Sequence, residues 1–126
     1  MLSDRTTTLQ ELKEKLRKFV DERDWREFHT PKDLSIAIAT EASEIMEHFR
    51  FRNGETLREY LADKENMREL SYEMADVLSF LVRLADEMNV DLAAALSEKM
   101  EKNTKRYPVD SAKGKGWMSI KKAERK

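Results

Sequence analysis

Hydrophobic residues recur every three or four positions along most of this chain, which is the spacing of one face of an α-helix. The spacing predicts four long helices, at residues 8–23, 32–50, 66–89 and 92–106, and a short helix at 56–64. Glycine occurs three times and proline twice, so few residues interrupt these stretches. No alternating strand pattern of useful length occurs. The pattern therefore predicts an all-α fold.

Capping signals support the predicted helix starts. Thr8 and Glu11 form the pattern of a capping box. Thr30 followed by Pro31 is typical of an N-cap and a first helical position, and Asp91 is a favoured N-cap for the fourth long helix.

Two predicted helices carry acidic pairs beside their apolar faces. Glu41 and Glu44 lie on the second helix, and Glu73 and Asp76 lie on the third. Residues three apart share a helix face, one turn from each other. The apolar positions that accompany them are Leu34, Ile38, Ala42, Ile45 and Phe49 on the second helix, and Leu70, Val77, Phe80, Leu81, Leu84 and Met88 on the third.

These acidic pairs have two interpretations that the residues alone leave open. In a chain this rich in charge, each pair could simply form a solvated face. Alternatively, the two helices pack antiparallel and the four carboxylates converge. Carboxylates beside a core need a positive partner, and oxygen ligands are those that Mg²⁺ and Mn²⁺ prefer. A di-iron site is excluded, because neither His29 nor His48 lies three residues after a glutamate of these pairs.

Composition narrows the classes further. The chain has 126 residues and a net charge of −1, which provides no global attraction to nucleic acid. It has no cysteine, and it has neither a signal-peptide pattern at its start nor an apolar run long enough to span a membrane. We therefore expect a soluble, cytoplasmic protein with no nucleic-acid or membrane partner.

The fourth helix carries polar residues on one face. Lys99, Asn103 and Arg106 recur at i, i+4 and i+7. They could form a solvated basic face, or they could bind phosphates next to a metal ion. Four aromatic residues also have two interpretations, because they could pack in the core or stack on a nucleotide base. They are Trp25, Phe51, Phe80 and Tyr107.

Taken in order, these motifs resemble the MazG-like superfamily of all-α nucleotide pyrophosphohydrolases. The resemblance rests on two motifs, Glu41-x-x-Glu44 and Glu73-x-x-Asp76. Three further segments, at residues 23–31, 90–92 and 99–108, are similar to the dCTP pyrophosphatase branch of this superfamily. The resemblance implies a four-helix-bundle-like domain at residues 1–110 that assembles as a homodimer or homotetramer. Residues 111–126 are expected to form a flexible basic tail.

The resemblance also implies an activity and a site. It implies Mg²⁺-dependent hydrolysis, with Mn²⁺ as a substitute, of a (deoxy)nucleoside triphosphate to the monophosphate and pyrophosphate, which would cleanse the nucleotide pool. The substrate would be dCTP or a modified dNTP. The implied metal-binding and catalytic residues are Glu41, Glu44, Glu73 and Asp76. The implied substrate-binding residues are Trp25, His29, Phe51, Phe80, Lys99, Asn103, Arg106 and Tyr107.

Three positions depart from the pattern of this family. Thr40 stands where many members have glutamate, and Phe51 and Ser43 stand where the dCTP branch commonly has tryptophan and glycine. The base preference therefore stays open. The alternative function is a non-catalytic helical interaction module, in which the acids form salt bridges and the basic tail binds a partner protein.

Overall fold

The computed structural model of the chain describes residues 1–125, and every regular element in that range is a helix. The chain divides into two compact units, the first comprising Met1–Val90 and the second beginning at Asp91. The first unit contains α1 (Leu9–Asp21), a 3-10 turn (Arg26–Phe28), α2 (Pro31–Phe49), α3 (Gly54–Ala62) and α4 (Lys64–Glu87). The second contains α5 (Leu92–Arg106), α6 (Val109–Ala112) and α7 (Trp117–Glu124).

The helices begin where the capping chemistry predicts. The Thr8 hydroxyl accepts from the Glu11 amide at 3.1 Å, and the Glu11 carboxylate accepts from the Thr8 amide, which completes the capping box. The Thr30 hydroxyl accepts from the Asp33 amide at the start of α2, and the Asp91 carboxylate accepts from the Ala94 amide at the start of α5. The short helix begins earlier than predicted, at Gly54, because Asn53 rather than a later residue is its N-cap.

α4 is the central element of the first unit. It packs mainly against α2, and also against α1 and α3. The buried apolar residues come from α1, α2 and α4 and are Val20, Leu34, Leu70, Val82 and Ala85. The all-α class is thereby confirmed, while the predicted homodimer or homotetramer stays a prediction.

The predicted packing face of α4 is only partly correct. Leu70 is buried, but Leu81 and Met88 are 39% and 56% exposed. On α2, Phe49 is likewise 38% exposed. The face that α4 buries is decided by three neighbouring helices at once, and it extends to Arg83, which is 2% exposed and was not predicted to be buried.

The C-terminal segment contains regular structure that the sequence pattern did not predict. The segment expected to be a flexible basic tail includes α7, on which Lys121 Nζ lies 4.5 Å from the centre of the Trp117 ring. An ion pair between Arg106 and Glu124 joins α7 to α5 within the second unit. Lys126, the last residue of the predicted tail, lies outside the described residues. The domain boundary at residue 110 and the flexibility of the tail stay predictions.

Among residues 1–125, none of the helices combines the length and the apolar character that crossing a membrane requires. The expected cytoplasmic location stays a prediction.

Candidate functional site

Three acidic side chains from α2 and α4 converge in the first unit. Glu41, Glu73 and Asp76 each place a carboxylate oxygen within 4.8 Å of the others. Their convergence follows from the packing of α2 against α4, which turns the two acidic faces toward each other. Glu44, the fourth predicted acid, is exposed and lies outside this group, one turn after Glu41.

The negative charges of these carboxylates repel one another. Partial burial raises the pKa of Glu41, and the negative charges of Asp76, Glu73 and Glu44 raise it further. Within residues 1–125, no lysine or arginine forms an ion pair with any of these four acids. Clustered carboxylates without a neutralising side chain are suited to a hard divalent cation such as Mg²⁺ or Mn²⁺. The donor set therefore fits the predicted metal.

Asp76 also belongs to the wall of an adjoining cavity of about 360 Å³. Three predicted substrate-binding residues line this cavity, namely Trp25, His29 and Phe80. The other lining residues are Leu16, Phe19, Val20, Ser79 and Arg83. The structure thus places the acidic group beside a largely aromatic and aliphatic pocket.

Several side chains that line this cavity contact one another. Trp25 meets Phe19 edge to face, with 5.9 Å between the ring centres, and His29 lies 6.3 Å from Phe80. His29 Nδ1 also faces Arg83 Nε at 3.4 Å. Burial lowers the pKa of His29, and the charge of Arg83 lowers it further.

Sequence reasoning missed part of this wall. The predicted site residues did not include Leu16, Phe19 and Val20 of α1, nor Ser79 and Arg83 of α4. A signal for the last two was present, since both follow Asp76 at helical spacing, by three and seven residues.

Phe51 is not brought to this cavity. It follows the end of α2 with a backbone φ of 65° and is 91% exposed, with the Arg50 guanidinium 4.7 Å from its ring centre. Its predicted contact with substrate stays a prediction.

The remaining predicted residues meet within the second unit. Lys99, Asn103, Arg106 and Tyr107 line a cavity of about 320 Å³. Trp117 and Lys121 of α7 complete its wall. The Tyr107 hydroxyl is buried and has no hydrogen-bond partner among residues 1–125. A buried polar atom of this kind is costly unless a ligand or water satisfies it.

Comparisons with known proteins show the family and the fold of this chain. The MazG-like family model matches residues 36–117 of the chain. The rat protein dCTP pyrophosphatase 1 is 35% identical over 107 residues, which are 85% of this chain and 63% of the rat protein. Human dCTP pyrophosphatase 1 is 36% identical over 107 residues, with 84% of this chain and 62% of the human protein covered. This chain thus spans less than two thirds of the length of these mammalian relatives.

One solved structure is similar to this chain over nearly the whole length of the solved protein. The crystal structure of a pyrophosphatase from Archaeoglobus fulgidus DSM 4304 superposes with a TM-score of 0.73 at 33% sequence identity, covering 86% of this chain and 99% of the archaeal one. The family match, the relatives and the shared fold all concern the segment that contains the acidic group, and this chain therefore belongs to the MazG-like family.

Proposed function

We propose that this chain hydrolyses a nucleoside triphosphate to the monophosphate and pyrophosphate, with dCTP or a modified dNTP as the first candidate substrates. The observation that carries the proposal is the group of Glu41, Glu73 and Asp76 beside an aromatic cavity that shares Asp76. The activities named for the relatives, dCTP pyrophosphatase and pyrophosphatase, point to the same chemistry.

The proposed activity needs a divalent cation. Glu41, Glu73 and Asp76 would hold Mg²⁺, with Mn²⁺ as a substitute, and Glu44 is the proposed fourth ligand residue. When bound, such a cation would neutralise phosphate oxygens and lower the pKa of a coordinated water. A carboxylate of the same group accepts the proton of the water that attacks the phosphorus.

The cavity in the first unit is the proposed site for the base and sugar. Trp25 and Phe80 offer aromatic faces, and stacking of a base on an aromatic side chain is worth about 1–3 kcal/mol. The volume of about 360 Å³ lies at the lower end of the range of ligand-binding cavities, which suits a nucleoside better than a larger ligand. His29 contributes a polar edge to a wall that is otherwise mainly apolar.

Residues of the second unit are the proposed phosphate ligands. Lys99 and Arg106 would neutralise phosphate charge, with Arg106 able to bind two oxygens at once. The Asn103 amide would donate a further hydrogen bond, and so would the Tyr107 hydroxyl, which has no partner in the part of the chain that the structure describes. Charge that develops on the departing pyrophosphate is stabilised by these donors.

We also propose a homodimer or homotetramer as the working assembly. Met67, Met74, Leu78 and Leu81 recur at helical spacing on α4, and each is at least 39% exposed. An exposed apolar stripe of this length is typical of a surface that another protein chain covers.

A product-release assay tests the proposed function. The protein is incubated with each common and several modified nucleoside triphosphates in Mg²⁺ and separately in Mn²⁺, and pyrophosphate and orthophosphate are detected separately. Pyrophosphate with the nucleoside monophosphate, and no orthophosphate, is the expected result. Orthophosphate as the first product, or no product from any nucleotide, would refute the proposed reaction.

A further inference from the structure

An ionic network with a buried arginine at its centre adjoins the aromatic cavity. Its centre is Arg83 of α4, whose side chain is 2% exposed. One terminal nitrogen of its guanidinium donates to Asp86 at 3.0 Å, and the other donates to Glu87. The third nitrogen, Nε, donates to His29 Nδ1 at a distance of 3.4 Å. All three nitrogen atoms of this buried cation therefore have partners.

The two carboxylates of the network are held from other elements as well. Arg17 of α1 forms two hydrogen bonds to Asp86, at 2.9 and 2.6 Å. Arg26 of the 3-10 turn donates to Glu87 at 3.2 Å. Each carboxylate thus binds two guanidinium groups, and the network ties α1, the 3-10 turn and α4 together. Arg83 is consequently fixed in position and cannot turn away from His29 without losing charged hydrogen bonds.

The position of Arg83 has a consequence for the histidine ring. A guanidinium carries only donors, so the ring nitrogen that faces it must present a lone pair. In neutral imidazole the other nitrogen then carries the proton. The pKa of His29 is lowered, first by burial and then by the charge of Arg83, while Glu87 acts in the opposite direction. Burial and the charge of Arg83 both favour the neutral ring, and the donor at Arg83 Nε places the proton of that ring on Nε2.

We propose that Arg83 is a positioning residue that holds His29 as the Nε2-protonated tautomer, so that His29 donates a hydrogen bond to a carbonyl oxygen of a pyrimidine base in the cavity. This inference rests on the proposed function, because it assumes that a nucleotide base occupies this space. The fixed tautomer of His29 would also select among bases, because it requires a hydrogen-bond acceptor at the edge of the base that faces His29. A base that presents an amino or imino hydrogen at this edge would place donor against donor and leave both groups unpaired, which costs binding energy.

The tautomer can be measured without any nucleotide. The chain has only two histidines, so ¹⁵N-histidine labelling gives two rings, and a His48→Gln variant assigns them. In metal-free and nucleotide-free protein, long-range ¹H–¹⁵N spectra should show an unprotonated nitrogen at Nδ1 of His29 and a protonated one at Nε2. A protonated Nδ1, or a ring averaged between both tautomers, would overturn the inference whatever the enzyme hydrolyses.

Substitution of Arg83 tests the link to binding. Arg83→Lys keeps the buried charge that Asp86 and Glu87 need but cannot reach three partners at once. We expect the His29 spectrum to show mixed tautomers and KM for the preferred nucleotide to rise about tenfold, the loss of roughly one hydrogen bond, with a smaller change in kcat. Arg68→Lys on the exposed part of α4 is the matched control and should leave the spectrum and both constants unchanged.

The outcomes separate this inference from the proposed function. If no nucleotide is hydrolysed, the proposed function fails while the spectrum still decides the tautomer. If nucleotides are hydrolysed and the tautomer is fixed, but Arg83→Lys leaves KM unchanged, the proposed donor role of His29 is wrong. Should Arg83→Lys not fold, His29→Gln replaces it, because Gln can donate from a similar position and should retain more affinity than His29→Leu.

Discussion

Arg106 at the end of α5 is bound by the carboxylate of Glu124 on α7. Arg106 Nε lies 2.9 Å from Glu124 Oε2, and a second guanidinium nitrogen contacts the same carboxylate. A carboxylate in this position occupies the donors that a phosphate group would need. Arg106 is one of the proposed phosphate ligands, so the ion pair and the substrate would compete for it.

Removal of the Glu124 charge should therefore strengthen substrate binding. In Glu124→Gln, we expect KM for the preferred nucleotide to fall by about two- to fivefold, because an ion pair this exposed competes only weakly with the substrate. Steady-state kinetics at low and high salt measure the effect, which should shrink as salt screens the pair. The matched control is Glu101→Gln, an exposed acid of α5. An equal fall in KM for both variants would point to general charge rather than to the pair with Arg106.

The acidic group should make the fold sensitive to divalent cations. A cation that binds the folded protein and not the unfolded chain stabilises the fold by about 2.7 kcal/mol at a concentration 100 times its Kd. Mg²⁺ should therefore raise Tm by several degrees, and EDTA should reverse the rise. Glu73→Gln and Asp76→Asn should each lose most of this shift and lower kcat by at least about 100-fold, while the metal-free proteins stay folded. Differential scanning calorimetry and the release assay provide the two measurements.

Glu69→Gln is the control for the metal experiment. Glu69 is an exposed acid one turn before Glu73 on the same helix, and it lies outside the converging group. It should keep both the Mg²⁺-dependent shift and the activity. If Glu73→Gln behaves like Glu69→Gln, the acidic group is not the metal site.

Helix starts and the shared face of Glu73 and Asp76 were predictable because both depend on residues close in the sequence. The side chain of Thr8 caps α1 from one residue away, and the spacing of Glu73 and Asp76 places them on one face whatever the rest of the chain does. The meeting with Glu41 required one further assumption, that α2 packs on α4, and the apolar stripes of both helices supported it.

Features that depend on several distant residues could not be predicted in this way. Burial of Arg83 requires Arg17 and Arg26, from two other elements, to hold the carboxylates that Arg83 binds. The exposure of Phe51 depends on how the chain leaves α2, and the positive φ there is rarely signalled by a phenylalanine. α7 is only eight residues long, and its contact with α5 includes an ion pair between Glu124 and Arg106, which lie 18 residues apart and which the spacing within neither helix signals.

Asp86 should make folding stability depend on acid pH. The hydrogen bonds from Arg17 lower the pKa of Asp86 below its ordinary value of 3.8 and outweigh the opposing effect of burial. As the pH falls, Asp86 is therefore protonated at a higher pH in the unfolded chain than in the folded protein. This stabilisation is present above about pH 4 and is lost as the pH falls through the lower pKa of the folded protein.

The Asp86→Asn variant makes this contribution measurable. At pH 7 it should reduce the free energy of unfolding by about 2 kcal/mol, because hydrogen bonds to a charged group are lost. Below pH 4 the variant and the wild-type protein should approach each other in stability. Urea unfolding between pH 3 and pH 7 provides the comparison. The control is Glu55→Gln, which breaks an exposed ion pair with Arg58 and should change stability by less than about 0.5 kcal/mol. A constant difference between Asp86→Asn and wild type across this pH range would contradict the assigned role.

The apolar stripe on α4 leads to a prediction about assembly. Met74 and Leu78 are 56% and 45% exposed, and a carboxylate placed among such residues would be buried if another copy of the chain covers them. Met74→Glu and Leu78→Glu should therefore shift the protein from an oligomer toward a monomer in light scattering coupled to size-exclusion chromatography. Arg68→Glu adds negative charge to an exposed position of α4 about a quarter turn from the stripe, and it should leave the mass unchanged. A wild-type protein that is monomeric at all concentrations would refute the proposed assembly. An oligomer that tolerates both stripe variants would show that a different surface forms the contact.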